Sequence, residues 1–132
     1  MTGMALLALM AAVLLLGCAG QSVEILGLDE EHEFSGTFGN VKLTGLTADT
    51  ADGHIYICGR LENRSGREYT YVALQMRLET LDERVVATSE YVLVTDRLRP
   101  GDATPFEIKM RAPTRRHGQC VLLTWIKGTP TN

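Results

Sequence analysis

Ile55-Tyr-Ile-Cys-Gly-Arg-Leu-Glu-Asn-Arg-Ser-Gly-Arg-Glu-Tyr-Thr-Tyr-Val-Ala-Leu-Gln-Met-Arg-Leu-Glu-Thr-Leu-Asp82 reads as two β-strands joined by a turn. In its second half Val72, Leu74, Met76 and Leu78 alternate with Ala73, Gln75, Arg77 and Glu79, which makes one pleated face apolar and the other mostly polar. In its first half Ile55, Ile57, Gly59 and Leu61 share one face and Tyr56, Cys58, Arg60 and Glu62 the other. Asn63-Arg64-Ser65-Gly66-Arg67 supplies the turn residues between them. Asn63-Arg64-Ser65 also fits a glycan sequon, but between two strands it is more simply a loop.

Outward from this hairpin the same two-residue period recurs. Val41 to Leu46 alternates ahead of it, ended by the turn formers of Thr47 to Gly53. Behind it Leu81-Asp82-Glu83-Arg84 is a tight turn, and Val85 to Thr95 a long strand apolar on both sides, the pattern of a bulge or a change of sheet. Leu98-Arg99-Pro100-Gly101-Asp102 turns into Thr104 to Met110, where Phe106, Ile108 and Met110 point inward. Gln119 to Lys127 closes the set, with Val121, Leu123 and Trp125 a slightly better core face than Cys120, Leu122, Thr124 and Ile126. Six or seven strands with frequent turns and no helical period predict an all-β, antiparallel β-sandwich over residues 41–128.

The chain has 132 residues, enough for one domain with a real core. Residues 18–40 hold five acids (Glu24, Asp29, Glu30, Glu31 and Glu33) and no Lys or Arg, which suits a solvated acidic tether or an edge segment. Within it only Val23 to Leu28 is apolar enough to pair. Residues 41–132 carry all 13 Lys and Arg against 11 acids, too even a balance for the basic face that nucleic acid requires.

Met4 to Leu16 is apolar throughout. Thirteen helical residues cover about 20 Å, short of a hydrocarbon core of roughly 30 Å, so residues 1–17 read as a signal peptide rather than a span. Leu15-Leu16-Gly17-Cys18 resembles the bacterial lipobox, in which the cysteine thiol takes a diacylglyceryl group and becomes the first residue. No Lys or Arg precedes Cys18, a departure from the usual basic n-region. The resemblance implies an exported protein held at the cell envelope by lipid on Cys18. With Ala19 and Gly20 following, it implies the outer membrane where a cell has two.

Gly59-Arg60-Leu61-Glu62-Asn63-Arg64-Ser65-Gly66, Tyr71-Val72-Ala73-Leu74, Asp82, Leu98-Arg99-Pro100-Gly101 and Pro105-Phe106 together resemble the FxLYD family of bacterial envelope domains over about residues 54–127. Of the namesake motif, Leu78-Glu79-Thr80-Leu81-Asp82 keeps only the final Asp. The resemblance implies an immunoglobulin-like sandwich, often borne on lipoproteins, and brings no catalytic residues to transfer.

Three histidines and two further cysteines raise the question of chemistry. His54-x-x-x-Cys58 and His117-x-x-Cys120 look like four zinc ligands, the basis for an alternative reading as a small envelope metal or redox carrier. On an extended strand, however, residues four apart are separated by about 13 Å, whereas ligands of one zinc converge within about 4 Å of each other. No phosphate loop, serine elbow or located cysteine–histidine cleft is present, so no catalytic residue, cofactor or metal ligand is assigned. Thr114-Arg115-Arg116-His117 is a compact basic loop suited to an acidic partner or lipid headgroups, and equally to solvent. An exported chain favours a Cys58–Cys120 disulfide. Strand parity opposes it, since Cys58 shares its face with Arg60 and Glu62 unless Gly59 marks a bulge. The predicted function is a lipid-anchored, non-enzymatic accessory or binding module with an envelope protein partner.

Overall fold

Val72, Leu74, Met76 and Leu78 are all fully buried in the computed structural model, which describes residues 23–131. The strand that carries them is the spine of one sheet. In chain order the strands are β1 (Val23–Leu26), β2 (His32–Glu33), β3 (Val41–Ala51), β4 (His54–Asn63), β5 (Glu68–Thr80), β6 (Val85–Thr88), β7 (Val92–Leu98), β8 (Ala103–Arg111) and β9 (Gly118–Thr131). Among the described residues the only helical element is a 3₁₀ turn at Gly36–Phe38. One sheet runs β1-β9-β5-β6, with β7 also on β5; the other runs β2-β3-β4-β8. Every pairing is antiparallel except β1 with β9.

The two sheets bury their facing sides against each other, Ile55, Ile57, Leu61, Ile108 and Met110 from one against Leu74, Met76 and Leu78 from the other. This is a two-layer β-sandwich.

Where the strands depart from simple alternation, a local device accounts for it. Tyr71 has a positive φ of 52° and is 67% exposed, and the register of β5 shifts here against both β7 and β9. This bulge reverses the parity, so Tyr69 and Val72 both face inward. In β3 the register against β4 shifts between Thr44 and Thr47, with Gly45 at φ 63°. The bulge therefore lies opposite Gly59 rather than at it. It also lets β3 run on to Ala51, through residues read as a turn from sequence, leaving only Asp52-Gly53 at φ 52° and 74° to close a two-residue hairpin.

The long strand expected over Val85 to Thr95 is two strands, β6 and β7, laid along the same edge of β5. Ser89 makes the break. Its backbone N–H donates to the Met76 carbonyl at 2.9 Å, while its hydroxyl accepts from the Met76 N–H at 3.0 Å and so replaces a backbone carbonyl in the ladder. Asn63 performs a similar task at the β4–β5 turn. Its amide is 1% exposed, donates to the carbonyls of Arg67 (2.7 Å) and Leu98 (3.2 Å), and accepts from the Ser65 N–H (3.0 Å). The sequon asparagine is thereby committed to holding two turns together.

The closing strand reverses the parity favoured by its sequence. Leu78 lies opposite Leu122 and Thr80 opposite Cys120, and directly paired residues share a face, so Cys120 and Leu122 are buried while Leu123 and Trp125 look outward.

The acidic approach segment is more than a spacer. β1 pairs parallel to β9 at one edge, and β2 pairs with β3 in the other sheet, so the chain crosses between layers. Glu33 meets Lys42 at 2.9 Å and Glu31 meets Arg64 at 2.7 Å, which returns acids read as solvating to basic partners on the sandwich.

Candidate functional site

Four segments meet at one end of the sandwich: the β3–β4 hairpin at Asp52-Gly53, the β5–β6 turn at Leu81–Arg84, the β8–β9 connection 112–117, and the start of β1, where Val23 lies opposite Gly118. Shallow clefts flank the β8–β9 connection. One of about 560 Å³ lies between Asp52, Gly53 and His54 on one side and Arg111 and Thr114 on the other. A second of about 340 Å³ lies among Leu81, Asp82, Arg84 and His117.

Arg111, Arg115 and Arg116 are exposed here, and among the described residues no carboxylate forms an ion pair with them. Leu81 and Val85 are 63% and 53% exposed beside them. Asp82 accepts from the Thr80 hydroxyl and pairs with Arg84 at 3.2 Å, and these contacts, Thr80 foremost, hold its carboxyl below the usual range.

The structure disperses the four candidate ligands. His54 opens β4, with Nδ1 placed 2.9 Å from the Asp52 carbonyl as a donor. Cys58 lies on the outer face of the four-stranded sheet, His117 lies in the loop before β9, and Cys120 faces the interior from the five-stranded sheet. Among the described residues no three His, Cys, Asp or Glu side chains come close enough to hold one metal ion.

Nor are Cys58 and Cys120 bonded; both thiols are free. They belong to different sheets, and Cys58 points out of the sandwich while Cys120 points into it, so their side chains do not face each other as a bridge requires. Burial pushes both thiols up, with Glu107 and Asp49 adding to the effect at Cys58, so neither is an activated nucleophile. The candidate lipidation residue, Cys18, lies outside the described residues.

Sequence reasoning missed the outer face of the five-stranded sheet. There the Arg77 guanidinium stacks 4.7 Å from the centre of the Trp125 ring, and Lys127 sits 4.2 Å from that of Tyr91. The register pairs that put Trp125 opposite Gln75 and Leu123 opposite Arg77 depend on the bulge at Tyr71, which no period in the sequence signals.

The fold and these surfaces define a β-sandwich domain with one end that carries exposed arginines beside exposed apolar side chains. No protein-family model, curated protein or solved structure matches the chain.

Proposed function

We propose that the protein is a lipid-anchored, non-enzymatic accessory or binding module of the bacterial cell envelope, held by an acyl group on Cys18 and on the outer membrane where the cell has two. The observation that carries this reading is Leu15-Leu16-Gly17-Cys18 at the end of the apolar run Met4 to Leu16. The short spacing between Cys18 and the first strand suits a module carried close to its membrane.

The narrower reading, an immunoglobulin-like domain of FxLYD type, draws support from what its motif residues do. Gly59 lies beneath Leu46 and Phe106, Asn63 ties the β4–β5 turn to Leu98, and Gly101 turns the chain at φ 85°. These are structural tasks, in keeping with a domain that presents surface rather than chemistry.

An acyl-chain reporter fed to expressing cells tests the anchor. Label on the wild-type protein and none on Cys18→Ser supports it, and equal labelling of the two ends it. Crosslinking in cells would then identify the envelope partner.

A further inference from the structure

The spacing between Cys18 and the first strand limits how a bilayer attached at Cys18 can lie relative to the sandwich. Cys18 and Val23 are separated by Ala19 to Ser22, so even a fully extended chain reaches about 18 Å between their Cα atoms. Val23 stands opposite Gly118, at the end carrying the β8–β9 connection and the Leu81–Arg84 turn. The other end lies the length of β9 away, 14 residues or about 45 Å. A tether this short cannot let the sandwich stand on its far end while β1 stays paired.

The two ends differ in what they offer a phosphate-rich surface. At the far end Arg64 is matched to Glu31 and Glu62, Arg97 and Arg99 both approach Glu68, and among the described residues Arg67 alone of these arginines has no carboxylate partner. At the near end Arg111, Arg115 and Arg116 are all three exposed, and among the described residues none has a carboxylate partner. The acids there are Glu24, Asp52, Asp82 and Glu83, of which Asp82 is already held by Thr80 and Arg84. A planar guanidinium free of carboxylate bonds phosphate oxygens in pairs, and an exposed Leu81 alongside can enter the headgroup boundary.

We infer that the connection carrying Arg111, Arg115 and Arg116, together with Leu81, docks on anionic phospholipid headgroups and stands the sandwich upright on its membrane. The inference rests on the lipid-anchored reading. The docked orientation directs the Asn63–Arg67 and Leu98–Asp102 turns away from the bilayer.

The test uses the full chain processed and lipidated by cells, reconstituted on vesicles of phosphatidylcholine with or without phosphatidylglycerol. Flotation reports anchoring, and amide hydrogen exchange on the floated protein reports docking. The expected result is flotation on both vesicle types, with slowed exchange at 81–84 and 114–117 only where phosphatidylglycerol is present. That protection should disappear in high salt and in Arg115→Glu/Arg116→Glu, which still floats. Floated protein with no protection, or with equal protection at 64–67 and 99–102, overturns the docking while leaving the anchor standing. Protein that does not float overturns the anchor and the docking with it.

Discussion

Adding one methyl group at Gly59 tests the closest approach in the core. Gly59 lies on the inward face of β4 between Ile57 and Leu61, and the bulge in β3 brings Leu46 across it. A Cβ there would stand 2.7 Å from Leu46 Cδ2, 3.0 Å from the Thr44 carbonyl oxygen and 3.1 Å from Phe106 Cζ. The leucine methyl can swing aside. The carbonyl belongs to the β3 backbone, and the phenylalanine ring is 8% exposed, so neither yields cheaply. Overpacking of this kind costs about 1 to 3 kcal/mol, and the stiffer unfolded chain of Gly→Ala returns about 0.4 to 1, so Gly59→Ala should lose about 1 to 2 kcal/mol. Gly66 makes the control, since nothing lies within 4 Å of a Cβ there, and Gly66→Ala should be neutral or slightly stabilising. Urea unfolding followed by Trp125 fluorescence, from the single tryptophan, measures both. In a Leu46→Ala background the cost of Gly59→Ala should shrink, because the methyl then fills space that the leucine left. A Gly59→Ala protein as stable as wild type would refute the packing argument.

Three further outcomes follow from contacts already described. Asn63→Ala should cost about 2 to 3 kcal/mol in the same assay, since it strands the buried Leu98 carbonyl along with the turn, whereas Ser65→Ala should cost about 1 or less because the Ser65 N–H still finds Asn63. A thiol assay on denatured, unreduced protein should find Cys58 and Cys120 both free, and in the native state Cys120, at 0% exposure, should react only through unfolding; a missing pair of thiols would mean a bridge and a different strand arrangement. The Arg64 guanidinium holds the Glu31 carboxyl below its usual range, and the Thr44 hydroxyl, then Arg64, does so for Glu62. Carboxyls depressed in the folded state stabilise above their unfolded value of about 4.3 and lose that contribution as pH falls through the folded values, so acid unfolding should be shallower in Glu62→Gln than in wild type.

The layers of the sandwich could be read from sequence because a half-buried strand must alternate. Leu74, Met76, Ile57 and Ile108 are inward in the structure as their spacing requires. What could not be read is any parity set by a partner strand. Cys120 and Leu122 face inward because of what lies opposite them in β5, and their own neighbours are nearly as apolar on either side. Bulges hid for a similar reason, since Tyr71 at positive φ carries no glycine signature, and Ser89 breaks a strand with a hydroxyl that reads as an ordinary polar position. The basic loop at Thr114 to His117 was legible as a charge run. Its meeting with Leu81 and the start of β1 at one end needed the parallel β1–β9 register, a long-range pairing with no local cue.

That same parallel pair gives the domain a mechanical direction. Val23 lies at one end of β9 and Thr131 at the other, so a pull applied between them slides β1 lengthwise along β9. Sliding loads the hydrogen bonds between the two strands together, whereas peeling would break them one by one. β9 is in turn clamped along nearly its whole length to β5. A tug between Val23 and Thr131 would therefore meet the sandwich in its stiffest geometry, and the layers would transmit tension along β9 instead of unravelling.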